Sequence, residues 1–281
     1  MCLIAFAIGL RPELPLWLAS NRDEAFDRPT DPLHRWRSEE GVDVLGGRDL
    51  LDGGTWLGIS PAGRVAWLTN VRQPDTARGL RSRGELVTRW LAGRHDAAGF
   101  AAQVQAGDYG GFNLVIGDLL VNQWHWIGNR SPERPHSPQT PALFQRPLGP
   151  GVYGVSNASL DTPWPKTLRL CEALRTASTP GAADPDHPLL HAALTDNRPA
   201  PDSELPATGV PVDMERALSS AFVQMPERSY GTRSSSILRV VRQGSTPTAE
   251  LDEWQHDLAD TTPALNPARR RSERMALFRA P

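Results

Sequence analysis

Lysine is almost missing from this chain: of 30 basic residues, Lys166 is the only lysine. The formal net charge is −2, so no overall basic field exists to draw nucleic acid or an anionic membrane. The arginine excess fits a GC-rich coding bias better than phosphate recognition. Cysteine is as scarce, with Cys2 and Cys171 alone. Two thiols make neither a disulfide framework nor a zinc site of CxxC type, and they fit a reducing, cytoplasmic setting. Long apolar runs are missing too. Leu3 to Leu10 has no basic flank and is cut off by Arg11-Pro12, so it is neither a secretory signal nor a membrane span. The histidines are scattered. His187 and His191 have i,i+4 spacing, but Pro188 and loop-like surroundings argue against a metal site, and no metal is expected.

What is present starts at the first residues. Methionine aminopeptidase removes Met1 when a small residue follows, and Cys2 is small. A chain beginning at Cys2 carries a thiol and a free α-amine on one residue. The thiolate is a nucleophile, and the amine, with an ordinary pKa of about 8, can act as its base. The expectation is a thiol exposed at the mouth of a cleft. The competing reading is a small buried apolar residue.

Cys2 to Leu10 is apolar on both faces, as in a strand covered on both sides. Arg11 to Pro15 is a turn. A second strand, Leu16 to Ser20, delivers Asn21-Arg22-Asp23-Glu24 beside Cys2 through a tight hairpin. These four are expected to face the nucleophile: Asp23 as a partner of the amine or part of a hydrogen-bond network, Arg22 as an anion binder or a partner of Glu24 or Asp23. Arg28 to Glu40 is polar and reads as loop. Gly53-Gly54-Thr55-Trp56-Leu57-Gly58 either cradles a ligand with its backbone or is a tight entry into a strand over Trp56–Ser60. Arg64 to Leu68 returns, ending in Thr69-Asn70.

Ser82-Arg83-Gly84-Glu85 has capping-box form ahead of a helix with Leu86, Val87, Trp90 and Leu91 on one face. Asp96 to Gln105 predicts a second helix. Phe112–Ile116 and Leu119–Ile127 predict a hairpin about Gly117-Asp118; its Trp124 and Trp126 share a face and read as sheet core. Residues 129–150 are proline-rich loop. Val152–Val155 is a short strand ending in Ser156-Asn157. Thr162-Pro163 reads as a helix start, and Cys171 falls on that helix's apolar stripe. Residues 180–211 read as a poorly packed insertion with one short helix near Leu189–Leu194. A helix over Asp213–Val223 and a hairpin of Ser234–Val241 with Thr248–Trp254 follow. The arginine-rich remainder, 259–281, is expected to be a disordered tail after a single domain of residues 1–258. Hairpins separated by helix pairs predict an α+β domain of four layers, two stacked sheets with helices outside.

At Cys2, Asn21-Arg22-Asp23-Glu24, Gly53 to Gly58, Thr69-Asn70, Ser156-Asn157, Pro163-Trp164-Pro165-Lys166 and Tyr230-Gly231-Thr232-Arg233, the chain resembles the NRDE family, that of the transport and Golgi organization protein. The matches span about residues 1–255. That family is similar, distantly, to N-terminal-nucleophile hydrolases of the choloylglycine hydrolase and penicillin V acylase type. The resemblance implies an αββα sandwich, with Cys2 as nucleophile and Asp23 at its amine. It also implies the Asn70 backbone amide and the Asn157 side chain as oxyanion donors, and Arg233 as a supporting arginine. Asn21, Arg22, Glu24, Trp56 and Thr232 would line the substrate site. One departure is visible: those hydrolases carry Arg-Asn-x-Asp, whereas this chain has Ser20-Asn21-Arg22-Asp23. On a strand, such a move changes the face that the arginine serves.

Two functions stand beside each other. One is a cysteine amidohydrolase cutting an amide or acyl bond of a small molecule without a cofactor. The other is a non-catalytic haem or acyl-lipid carrier on the same scaffold, which the resemblance alone implies, since the chain has no CxxCH and no convincing axial histidine. Neither reading calls for nucleic acid or integral membrane association, and oligomeric state cannot be read from the sequence.

Overall fold

In the computed structural model, which describes residues 2–74, 79–137, 139–179, 187–244, 246–260 and 262–278, alternate side chains of the first strand enter two different cores. Ile4, Phe6 and Ile8 point to one, Leu3, Ala5 and Ala7 to the other, and all six are buried. In chain order the strands are β1 (Cys2–Arg11), β2 (Leu14–Ala25), β3 (Thr30–Arg37), β4 (Asp43–Asp49), β5 (Leu57–Ile59), β6 (Arg64–Asn70), β7 (Phe112–Asp118), β8 (Gln123–Gly128), β9 (Phe144–Pro147), β10 (Gly151–Val155), β11 (Gln224–Met225), β12 (Tyr230–Gln243), β13 (Thr246–Gln255) and β14 (Arg270–Ala276). The helices are α1 (Gly84–Ala92), α2 (Ala97–Ala102), α3 (Pro165–Ala177), α4 (Pro188–Leu194) and α5 (Val212–Ala217).

The strands form two antiparallel sheets. Sheet A runs β10-β1-β2-β12-β13-β14, with β11 added to β12, and sheet B runs β3 to β9 in sequence order. Between them lies one apolar cluster fed by both: Ile4, Phe6, Leu16 and Leu18 from sheet A, Ile59, Val65, Trp67 and Val115 from sheet B. Phe6 meets Trp67 edge-on at 4.7 Å across the gap, a geometry worth about 1 kcal/mol beyond the area it buries. Trp124 and Trp126 belong to this cluster, as their shared face predicts. On the outside of sheet B, α1 and α2 place Leu86, Trp90 and Phe100 against Ala66, Leu114 and Ile116. Outside sheet A, Leu170, Cys171 and Leu174 of α3 and Leu190 and Leu194 of α4 cover Leu3, Trp17 and Ala19. The result is the four-layer αββα sandwich.

Several local expectations change. The 28–40 stretch is not loop but contains β3, a polar edge strand of which Leu33 and Trp36 turn inward. The tail is not disordered where it is described, because β14 pairs with β13 from Thr248↔Ala276 to Trp254↔Arg270. Its arginines find carboxylates on β13: Arg270 reaches Asp252 at 3.0 Å and Arg274 reaches Glu250 at 3.2 Å. The capping box does not form. Arg83 is the N-cap of α1, and Glu85 instead binds Arg81 at 2.8 Å and Tyr109 at 2.5 Å. Helix α3 begins at Pro165, not after Thr162. Of the expected insertion, residues 180–186 lie outside the described ones, and α4 is well packed, with Leu190 and Leu194 fully buried. Helix α5 stops at Ala217 instead of reaching Val223; beyond it the N–H groups of Ala221 and Phe222 go to the Asp196 carbonyl, and Lys166 takes the Leu218 carbonyl.

Candidate active site

Strand alternation splits the 21–24 run between two faces. Cys2 lies opposite Arg22 in the β1–β2 ladder, and the Cys2 side chain belongs to the inter-sheet cluster. Arg22 is buried beside it, its guanidinium 4.0 Å from the centre of the Trp56 ring and 3.9 Å from Glu24. Asn21 and Asp23 turn the other way, toward the helices of sheet A. The expectation that all four face the nucleophile is therefore corrected. Asn21 is a brace: its amide donates to the carbonyls of Leu194 at 2.7 Å and Ala221 at 2.8 Å, and its oxygen accepts from the Ser235 hydroxyl at 2.6 Å.

The thiol is not exposed at a cleft mouth. Cys2 is 9% exposed. Burial pushes its pKa up, opposed by the positive charge of the chain's amino end and of Arg22. Glu24, Trp56 and Asn70 are among the half-exposed neighbours on this side. Burial also pushes on Glu24, yet the amino end, the Ala25 amide, Arg22 and Arg28 together hold its carboxyl below the usual range.

Asp23 is 1% exposed. Its Oδ1 accepts from the Thr232 hydroxyl at 2.7 Å, and its backbone carbonyl accepts from the Tyr230 hydroxyl at 3.1 Å. Burial raises its pKa, and the largest opposing influence is Lys166.

Asn70 and Asn157 come together. The Asn157 amide donates to the Asn70 carbonyl at 2.9 Å, and the Arg72 amide donates back to the Asn157 carbonyl at 2.8 Å. Ser156, next along, donates from its hydroxyl to the Cys2 carbonyl at 3.1 Å and also lies 3.2 Å from Asn157 Oδ1. Val71 sends its N–H to Gly111, on the β7 side. Alternation turns the Asn70 N–H the opposite way, with its carbonyl, toward Asn157. The first residue of β1, the end of β6 and the end of β10 thus meet in one polar seam.

Arg233 is not at the thiol. It sits at a bulge in β12, and its guanidinium holds the β2–β3 connection through the carbonyls of Arg28 at 2.6 Å and Ala25 at 3.1 Å.

Sequence reasoning missed the charged layer under Asp23: Lys166 as an acting residue, Arg72, Glu215 and Tyr230, all but Tyr230 at most 4% exposed. Lys166 had a signal, being the single lysine. Arg72 and Glu215, which pair with each other, lie 143 residues apart and gave none. Arg83 was also missed as a neighbour of the site; its charge interacts with Glu24 and Cys2, and its Nη1 donates to the Gly111 carbonyl at 3.2 Å. Among the described residues, no group of three or more His, Cys, Asp or Glu side chains could hold a metal ion, and no helix is long and apolar enough to cross a membrane.

The family model for Transport and Golgi organisation 2 matches residues 1–252. The chain belongs to that family. The bovine Transport and Golgi organization protein 2 homolog is 35% identical over 268 residues, covering 89% of this chain and 92% of its own. The human homolog is 33% identical, covering 92% and 95%. The Drosophila melanogaster member of the Transport and Golgi organization 2 family is 26% identical, covering 95% and 94%. Among solved structures, the chain is similar to a Caenorhabditis elegans ortholog of N-acylethanolamine-hydrolyzing acid amidase, with TM-score 0.48, 12% identity and 84% and 92% coverage. It is also similar to a conjugated bile acid hydrolase variant from Clostridium perfringens, with TM-score 0.48, 8% identity and 94% and 99% coverage.

Proposed function

We propose that this chain is an amidohydrolase whose nucleophile is the thiol of Cys2, acting on an amide bond of a small molecule. The observation that carries the reading is the polar seam: Cys2 opens β1 at the point where the Asn157 amide and the inward side of Asn70 converge, with buried Asp23 on the neighbouring strand.

Loss of Met1 puts the free amine on Cys2. The thiol, kept neutral by burial, then ionises only as the amine takes its proton. The sulfur attacks the amide carbonyl. The negative charge on the carbonyl oxygen is met by the second N–H of the Asn157 amide, the first being bound to Asn70, and by the Asn70 N–H. The amine returns its proton to the leaving nitrogen, the C–N bond breaks, and an acyl-thioester remains. Water gives a proton to the amine as it adds to the thioester carbonyl; the C–S bond breaks, the carboxylic acid leaves, and the proton returns to the sulfur to restore the thiol. Asp23 orients the amine throughout. The substrate enters from the side of Glu24 and Asn70, and Arg22, held over the Trp56 ring, lines that entry.

Intact-mass measurement of the purified protein, followed by turnover of a panel of acyl amides, tests this. The expected result is a chain starting at Cys2 and hydrolysis lost in Cys2→Ala. A chain that keeps Met1, or turnover unchanged in Cys2→Ala, overturns it.

A further inference from the structure

The face of sheet A that holds Cys2 can be followed across the strands by their register. One row runs Cys2, Arg22, Ser234, Gln255, and the next runs Ile4, Ser20, Ser236, Glu253. Leu18, Leu238 and Leu251 come next on the same face and belong to the inter-sheet core. The inner face of sheet A thus turns from apolar to polar at the end where the thiol sits. Arg22, Ser20, Ser234, Ser236 and Glu253 are each at most 7% exposed.

Polar groups buried to that degree normally find partners inside the protein. Glu253 does. Its carboxyl accepts from the Leu33 N–H at 2.7 Å, from the Gln255 amide at 2.6 Å and from the Ser234 hydroxyl. Arg22 does not. None of its guanidinium N–H groups is hydrogen-bonded to a described residue. Its ion pair with Glu24 is 3.9 Å long, beyond hydrogen-bond length, and Glu24 Oε1 already accepts from the Ala25 N–H at 3.0 Å. Its contact with Trp56, at 4.0 Å, is with the ring and not with an acceptor atom. The Ser20 and Ser236 hydroxyls likewise have no hydrogen-bond partner among the described residues. Donors are therefore gathered on one patch of the inner face, next to the nucleophile, with no acceptor supplied by the described residues.

We propose that Arg22, with Ser20 and Ser236, forms a carboxylate-binding subsite beside the thiol, so that the amide cleaved at Cys2 carries a carboxylate a few bonds from its scissile carbonyl. The second half rests on the amidohydrolase reading; the first does not. The chemistry of the donors selects the ligand. A guanidinium offers its N–H groups as a planar fork that fits the two oxygens of a carboxylate, and hydroxyls can donate to the lone pairs left over. The register sets the distance. Side chains directly opposite in a ladder have Cβ atoms about 5 Å apart. A carboxylate on Arg22 then lies roughly three or four bonds from a carbonyl carbon held at the sulfur of Cys2, which is opposite. Burial pushes the Glu253 carboxyl toward its neutral form, which lessens the negative charge beside the subsite.

Binding to the full-length Cys2→Ala protein, which cannot turn over, tests the subsite by titration calorimetry. Two acids serve as probes: N-octanoylglycine, with its carboxylate on the amine side of the amide, and glutaric acid mono-octylamide, with it on the acyl side. N-propyloctanamide and N-octylpentanamide are their neutral counterparts. At least one acid is expected to bind about tenfold or more tightly than its counterpart, the scale of a charge-assisted hydrogen bond. Adding Arg22→Met should abolish that advantage, and adding Ser20→Ala with Ser236→Ala should reduce it about threefold or more. Acids that bind no better than their neutral counterparts overturn the proposal, as does an advantage that survives Arg22→Met. Should Arg22→Met fail to fold, an advantage untouched by the two serine changes overturns it. Turnover by the unaltered protein separates the two readings. An acid that binds through Arg22 and is never cleaved leaves the subsite and removes the amidohydrolase. A neutral amide cleaved as fast as its acid does the reverse.

Discussion

The side-chain amide of Asn157, just past β10 in sheet A, donates at 2.9 Å to the carbonyl of Asn70 at the end of β6 in sheet B. One hydrogen bond thus ties the two sheets together at the end where β1 starts. The same residue can serve structure and chemistry because its amide carries two N–H groups.

Asn157→Leu separates these roles from a neutral change. It leaves the Asn70 carbonyl without the Asn157 N–H, while the Ser156 hydroxyl keeps the Cys2 carbonyl, so urea unfolding should show a loss of roughly 1–3 kcal/mol. Asn157→Asp keeps the acceptor for Ser156 but has no N–H to give. If the seam holds an oxyanion, Asn157→Asp, which also gives up the bond to the Asn70 carbonyl, turns over amides about a hundredfold or more slowly than the unaltered protein, per folded molecule. Equal rates would remove Asn157 from the chemistry.

The thiol of Cys2 should alkylate slowly. Its pKa is raised by burial above the ordinary value of 9.0, so the thiolate is scarce at neutral pH. The rate of iodoacetamide labelling, followed by peptide mass, should keep rising with pH beyond 9 in the folded protein. It should lie well below the rate for the same thiol in denaturant. Arg22→Met removes a positive charge that opposes the shift and slows labelling further. Cys171, pushed up by burial to about 12, should also label slowly in the folded protein. A labelling plateau below pH 8 would contradict this account of Cys2.

His256 makes stability depend on pH. Its Nε2 lies 2.9 Å from Ser235 Oγ, whose own proton goes to Asn21 Oδ1, so Nε2 carries the hydrogen. Burial brings the His256 pKa down to about 4 from 6.5. Between those values the unfolded chain binds the extra proton and the folded one does not. Stability from this residue is full above about pH 6.5 and is lost as pH falls toward 4. In His256→Gln, which keeps a donor and cannot titrate, the fall in Tm across that window should be shallower. An identical slope would mean that other groups set the acid limit.

The architecture was legible because the strands that build it advertise themselves. Leu3 to Ile8 and Leu16 to Ala19 are apolar on both faces, as a strand between two layers is, and Phe112 to Ile116 is apolar at all but Asn113. The strands that went unread are at the edges. β3 shows the core little more than Leu33 and Trp36, and β14 almost only Met275, so their composition looks like loop. At the site, motif spacing correctly placed Arg22 beside Cys2 but could not say which face each of its neighbours serves. The register answers that: with Cys2 opposite Arg22, Asn21 and Asp23 must turn to the helices. The Lys166, Arg72 and Glu215 layer is assembled from three distant segments, and contacts of that kind have no local pattern to read.

β14 has a consequence beyond completing the sheet. Without it, the ten residues of β13 would present an open ladder of N–H and C=O groups to any passing strand, including β13 of a second copy. With it, that ladder is taken up, and the new edge carries the charged side chains of Arg270, Arg271, Glu273 and Arg274, which discourage a further strand from adding. The basic run that composition marks as a loose end is, in the fold, the strand that covers the β13 edge.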